Sequence, residues 1–332
     1  MNKNNTEFFF KGEELETCLS SLKEKGITEF TLQDESVFKN KEKLLRFLNS
    51  FQKKAPDILL VLPVQAEILD MEVCKACSRL FCTLEIDFNG EFRGDSYLFD
   101  RKFFSRRAKM LNTMGLVFGF EMKFALGCGD GIKLFFNRLD FAVSLYPNHI
   151  DFPQLEAEGI LAKPVNSRTY SSQDINRSRE VALACSIFYS YGRSVTWFLS
   201  VLAPLKISPS VFFEDFFQWQ KYNHWNIWEN YFELRENHRQ LELMQLDFLK
   251  FKYEEKNKGQ LFPVVKNIVQ LNGALSRCYA EGEESEVEMS YNPEEILSCS
   301  SLNIQSFFEN SFMEISRIKV FCGKDGPEYR YC

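Results

Sequence analysis

The sequence of 332 residues lacks an excess of positive charge, a long apolar run and more than three histidines. Its 40 Lys and Arg against 46 Asp and Glu give a formal net charge of -6. A general nucleic-acid binder needs a basic face to neutralise phosphates, so that class is set aside. No stretch approaches the ~20 apolar residues of a membrane span, and the longest candidate, Val195 to Leu205, is too short. Met1 to Thr6 is polar, and the apolar run Phe8 to Phe10 is cut off by Lys11, so no targeting segment is expected. No Walker loop or nucleophile elbow occurs, which removes support for an NTPase or a serine triad. His149, His224 and His238 have no short metal-ligand spacing among them.

What is present is apolar and aromatic. The 45% hydrophobic and 26% charged fractions are those of a globular protein. The 34 Phe imply a densely packed interior and a sizeable aromatic surface. Ten cysteines without a signal peptide are read as reduced thiols in the cytoplasm rather than as a disulfide framework.

The first half alternates as βα units do. Glu13 to Lys25 carries Leu15, Cys18, Leu19 and Leu22 at helical spacing, and Gly26 ends it. Ile27 to Leu32 predicts a strand, Lys41 to Lys53 a helix, and the continuous run Ile58 to Val64 a strand buried on both faces. The cycle continues with a helix over Leu69 to Leu80 and a strand over Phe81 to Phe88. A helix over Asp100 to Met114 follows, capped by Asp100, then a strand over Leu116 to Leu126. A helix over Ile132 to Leu145 and a short strand over His149 to Phe152 complete the series. Strands separated by such helices imply parallel pairing. Five strands are too few for a closed eight-stranded barrel, so an open or partial barrel is expected, with a doubly wound sheet as the rival. From Glu180 the pattern turns helical, through an aromatic stretch from Ser210 to about Glu255. The acidic segment Glu281 to Glu288 reads as a solvated linker. Pro293 to Ile315 reads as helix and the last residues as a strand.

Three stretches carry a family likeness. "GITEFTLQDESVF" ends a strand in Asp34 and places Phe38 shortly after, before a helix; "DILLVLPVQAEILDMEVCKACSRLFCTLEIDF" offers a strand, a helix and a strand with Glu85 or Asp87 near its end. "LNTMGLVFGFEMKFALGCGDGIKLFFNRLDFAVSLYPNHIDFPQ" adds two further units. Together they resemble the radical S-adenosylmethionine (radical-SAM) barrel, nearest to the type that usually carries a cobalamin-binding domain. "LMQLDFLKFKY" is similar to the helical extension after some of those barrels. The likeness runs from about residue 8 to about residue 255. It implies an S-adenosylmethionine pocket, a [4Fe–4S] cluster and cobalamin. The family's Cys-x3-Cys-x2-Cys loop, which leaves one iron open for S-adenosylmethionine, is absent from this sequence. No cofactor is therefore expected on this chain alone.

The candidate site residues each have two readings. Cys74, Cys77 and Cys82 are either a displaced metal or cluster site or, more simply, buried small hydrophobes. Gly127 and Gly129 follow a strand and open a helix, which suits a phosphate or merely a turn. Asp34, Glu35, Glu85, Asp87 and Glu121 fall near strand ends, where a barrel holds its site; Asp34 and Glu85 are the residues assigned to a vestigial S-adenosylmethionine pocket together with the two glycines. His149 starts a strand and either faces the barrel mouth or bonds structurally. Arg101, Lys102, Arg106, Arg107 and Lys109 read as the wet face of a helix. The aromatics from Phe212 to Phe232 exceed one core stripe, so they pack on neighbouring helices or meet a partner.

The expected architecture is α/β: an incomplete, TIM-like βα barrel of the radical-SAM type over residues 8–170, then a mostly helical region over 171–332. The expected function is a barrel without its own cluster loop, non-catalytic alone or complementing a cluster-bearing chain. The alternative is a radical-SAM-type enzyme acting through a displaced cysteine cluster or a retained pocket. The expected partner is a chain supplying a first strand and cluster loop, or a second copy. Self-association would cover the edge formed by Ile27, Phe30 and Leu32, unless Phe8 to Phe10 fold back over it. No nucleic acid or membrane is expected.

Overall fold

The computed structural model describes residues 17–22, 25–94, 96–127, 129–156, 164, 166–324 and 326–332. The chain forms two compact units, one of residues 1–123 with 145–153 and one of residues 124–144 with 154–332.

The first unit is a parallel sheet covered on one face. Its strands are β1 (Glu29–Thr31), β2 (Leu59–Val64), β3 (Cys82–Asp87), β6 (Val117–Glu121) and β7 (His149–Asp151), with a small antiparallel hairpin of β4 (Glu91–Arg93) and β5 (Ser96–Leu98) set apart. The spatial order β1-β2-β3-β6-β7 follows the sequence, and every pair is parallel. A doubly wound sheet would reverse direction partway across; this one does not.

Helices α1 (Lys41–Lys54), α2 (Met71–Cys77) and α3 (Arg101–Thr113) connect these strands. Each starts where a short polar side chain takes orphan backbone amides. Asn40 accepts from Lys43 N, Asp70 from Glu72 N and Val73 N, and Asp100 from Phe103 N. Lys41 also reaches from the start of α1 to Asp70 (2.5 Å) and Glu72 (2.7 Å). Leu60, Leu62, Leu84, Ile86, Phe118 and Phe120 alternate onto the buried face. Phe30 stacks on Phe47 and Phe51 of α1, and Phe88 and Phe120 meet Phe104 of α3. Of the edge side chains singled out in the sequence, Phe30 lies against α1 and Leu32 is buried, while Ile27 remains exposed. Phe8 to Phe10 lie outside the described residues.

The second unit is mostly helical. It contains α4 (Ile132–Ser144), α5 (Ser172–Cys185), α6 (Pro209–Tyr222), α7 (His238–Glu255) and α8 (Phe262–Glu281). Asp140 of α4 caps α6 by accepting from Ser210 N (2.7 Å) and Ser210 Oγ (3.1 Å). Phe188, Phe212, Phe216 and Phe248 form a cluster of mostly edge-to-face rings at the centre. Phe212, Phe213, Phe216, Phe217, Trp219 and Tyr231 are buried, while Tyr222, Trp228 and Phe232 stay exposed.

After α5 the backbone widens into a π-helical stretch, Ser186–Tyr191. The buried Gln245 amide donates to Phe188 O (2.8 Å) and Gly192 O (2.9 Å), satisfying carbonyls in that stretch and at its end. A Cβ at Gly192 would sit 2.2 Å from the Gln245 nitrogen, so glycine leaves room for the amide.

Two expectations are corrected here. The acidic stretch read as a linker contains β8 (Ser285–Met289), where Val287 and Met289 turn inward between exposed Glu286 and Glu288. Period-2 burial outweighs the charge of the exposed face. It pairs with β9 (Ser316–Cys322), itself paired with β10 (Pro327–Tyr331), in an antiparallel sheet ordered β10-β9-β8. Pro293 to Ile315 is not one helix: it breaks into Pro293–Leu297, a 3-10 turn and Ile304–Asn310. No helix among the described residues is long and apolar enough to cross a membrane.

A buried polar cluster joins α7 to α8. Arg277 donates to Glu242 (2.5 Å) and to His238 Nδ1 (3.2 Å), and Gly273 clears the space that the Glu242 carboxylate fills. Burial, with the charges of Arg193 and Arg277, pushes the His238 imidazole down to about 4. Because the folded value is depressed below the ordinary 6.5, His238 contributes stability above pH ~6.5 that is lost as pH falls towards 4. By pH 5 the loss is about 2 kcal/mol. Denaturant unfolding between pH 7.5 and 5 is expected to show this slope in the wild type and a flatter one in His238→Asn; equal slopes would show that His238 does not carry it.

Candidate functional site

Over β3, β6 and β7, strand alternation gives the sheet of the first unit a second, polar face, beside the half-buried Leu59, Val61 and Pro63 of β2. On β3 the inward residues Leu84 and Ile86 alternate with Thr83, Glu85 and Asp87; on β7, buried Ile150 separates His149 from Asp151. Register then aligns these residues across strands. Glu85 pairs with Gly119, and Gly119 with His149, so the three form one row; Asp87, Glu121 and Asp151 form the next row on the same face. The second row ends its three strands, at the C-terminal edge where ligands of α/β sheets are held, and the first row lies one step inside it.

The middle of the first row is empty of side chain, and that makes the site. A Cβ on Gly119 would stand 1.9 Å from His149 Nε2. With glycine there, the imidazole lies across β6 and reaches β3. Its Nε2 sits 2.7 Å from Glu85 Oε2 and 3.3 Å from Asp151 Oδ2. The side chains of Glu85 and His149 are 22% and 24% exposed, and that of Asp151 49%, so the cluster is partly open to solvent. Burial pulls the imidazole pKa down, but the hydrogen bond and charge of Glu85 and the charge of Asp151 outweigh it, and the net shift is upward. Beside the cluster, Lys123 pairs with Glu121 at 2.6 Å, and Asp87 accepts from Asn89 N at 3.1 Å. Glu85, His149 and Asp151 offer one oxygen, one nitrogen and one oxygen, all within 4.8 Å of one another, a set able to hold a metal ion.

The other sequence candidates go elsewhere. Asp34 caps the single turn Glu35–Phe38 by accepting from Ser36 N (2.9 Å), and Glu35 pairs with Lys39 on the same turn. Gly127 and Gly129 adopt φ values of 144° and 88°, where glycine is favoured. Their loop wraps the buried Asp130 carboxylate, which accepts from Leu126 N (3.1 Å) and Gly131 N (3.0 Å) and pairs with Arg138 (3.8 Å). Two amides that an incoming phosphate would use are therefore taken by a carboxylate of the chain itself.

Cys74 and Cys77 lie on the buried face of α2, and Cys82 on the buried face of β3. Burial pushes the Cys74 thiol up to about 11, and the neighbouring Cys82 thiol together with burial raises that of Cys77. His224 is exposed on a left-handed turn, and His238 belongs to the buried cluster of the second unit.

Sequence reasoning weighed Glu85 and His149 singly and passed over Gly119 and Asp151. A lone glycine inside an apolar strand, as in "LVFGFEM", marks a close approach and was the available signal. Asp151 stands two residues after His149, hence on the same face of a strand.

No protein-family model and no curated protein sequence matches the chain. Among solved structures it is similar to the radical S-adenosylmethionine methyltransferase TsrM from Kitasatospora setae with cobalamin and a [4Fe–4S] cluster bound. The TM-score is 0.34 at 17% identity, over 42% of this chain and 29% of that one. The same methyltransferase with tryptophan substrate and a S-adenosylmethionine analogue matches with a TM-score of 0.34 and 17% identity, over 42% and 28%. The chain thus spans less than a third of the length of either structure.

Gly119→Ala is expected to drive the imidazole off Glu85 and destabilise the fold by about 1–3 kcal/mol. In a His149→Ala background the same change should be neutral or stabilising by roughly 0.5 kcal/mol, since alanine is better than glycine within a strand. A double-mutant cycle by denaturant unfolding checks both; equal costs in the two backgrounds would refute the steric account.

Proposed function

We propose that this chain is a partial βα barrel of the radical-SAM type that binds through its polar sheet face and builds no cluster of its own. In this reading it is non-catalytic alone and complements a chain that bears the cluster. The sequential parallel strands, with helix contacts from one face and polar rows on the other, support the barrel reading.

The observation that carries the functional half is the state of the cysteines. A [4Fe–4S] cluster needs three thiolates converging on an open space. Cys74, Cys77 and Cys82 are 0%, 0% and 7% exposed, and burial disfavours ionisation of Cys74 and Cys77. These residues do not fit the cluster, and no step through it follows. Without an open iron, S-adenosylmethionine loses the chelation of its amino and carboxylate groups, and contacts from Glu85 do not replace that.

A second reading, an enzyme working through a retained pocket without iron–sulfur chemistry, draws on the convergence of Glu85, His149 and Asp151. It shares the same face and differs only in whether this chain acts alone.

Anaerobic reconstitution with iron and sulfide separates the proposal from a displaced cluster. The expected result is no cluster, with S-adenosylmethionine weak or silent in calorimetry. About four irons per chain, lost in a Cys74→Ala, Cys77→Ala, Cys82→Ala triple variant, would overturn it.

A further inference from the structure

We propose that Glu85, His149 and Asp151 bind one divalent cation of the manganese, iron and zinc class, going beyond the cluster-free reading above and independent of it. Metal–ligand bonds of about 2.1 Å meeting at 90–110° place neighbouring donor atoms about 3.0–3.4 Å apart. Nε2 of His149 lies 3.3 Å from Asp151 Oδ2, within that spacing, and 2.7 Å from Glu85 Oε2, so Glu85 has to draw back by a few tenths of an ångström to admit an ion. An ion entering between them replaces the hydrogen between Nε2 and Glu85, and the displaced proton passes to water.

Three further features favour a site over a chance ion pair. Glu85, His149 and Asp151 project from strands of one sheet, so their Cα positions are set by backbone pairing rather than by a loop. Gly119 costs β6 a side chain at the one position where a Cβ would block the imidazole. The adjoining row sets Asp87 and Glu121 beside Asp151; Lys123 compensates Glu121, and Asp87 is left as a further carboxylate that favours a cation. One imidazole with two carboxylates suits manganese, iron or zinc, and the partial exposure leaves room for water or a substrate oxygen to complete the coordination. Cys82 sits on the opposite face of β3 from Glu85, so no thiolate from that strand enters the set.

Manganese(II) is the appropriate probe because thiolates compete for it poorly. Chelator-treated full-length protein is titrated with Mn2+, and the free ion is read by electron paramagnetic resonance. One ion per chain is expected, weakened at least tenfold by each of Glu85→Gln, His149→Gln and Asp151→Asn. Gly119→Ala should weaken it comparably without removing a ligand, and Asp34→Asn should leave it unchanged. Circular dichroism verifies that each variant is folded. In the wild type, which needs no variant, saturating Mn2+ should protect His149 from acylation by diethylpyrocarbonate. No saturable binding, binding indifferent to Glu85→Gln and His149→Gln, or an undiminished acylation rate would overturn the proposal. None of these outcomes alters the iron–sulfide result, so the two readings fail separately.

Discussion

The first unit depends on one constraint, the one-sided burial of a parallel sheet whose strands are added in sequence order. Because each crossover returns beside the previous strand, successive connections pass over the same face, and their apolar residues seal it. Most of the hydrophobic contribution comes from that side, at roughly 25 cal/mol per Å² of apolar surface buried. On the other face β2 still presents the half-buried Leu59, Val61 and Pro63, while β3, β6 and β7 present polar side chains or glycine, and parity decides which they are. Ile86, Phe120 and Ile150 go inward, so Glu85, Gly119 and His149 go outward together.

A shared device recurs in both units: a glycine stands where a polar side chain must cross a backbone. Gly119 admits His149, Gly192 admits the Gln245 amide, and Gly273 admits the Glu242 carboxylate. In each case the absent Cβ lets a polar atom reach its partner instead of remaining unsatisfied in a poorly solvated place. Two of the three anchor the second unit, where Gln245 holds the π-helical carbonyls and Glu242 holds Arg277. The third builds the candidate site. Stability and chemistry use the same local arrangement here.

Much of this was legible in the chain. The cap at Asp100, the run Ile58 to Val64 and the alternating helices give five parallel strands in their correct order of occurrence. The three-residue strands of the hairpin at 91–98 were too short to leave a periodic trace, and β8 was hidden by its own glutamates. Glu85 was visible because a carboxylate at the end of an apolar strand is conspicuous. Its partnership with His149 was not, since 64 residues separate them and only the register through Gly119 brings them together. Local patterns reveal elements; a cross-strand row is a property of pairing, which no single window contains.

The division of the chain has a consequence for its birth on the ribosome. Residues 124–144 belong to the second unit and 145–153 to the first, so the backbone leaves one body, returns to it and leaves again. Synthesis runs from the N-terminus, and α4 emerges well before α5 and α6, whose residues include its later partner Ser210. During that interval Leu139, Ala142 and Val143, which end up fully buried, have no partners from those helices to cover them. The first body can therefore be finished early, but only with a piece of the second already made and waiting for its partners. The nascent protein passes through a period in which one body is nearly complete while the other exists as a single apolar helix, the stage at which a chaperone or a pause in elongation has most to protect.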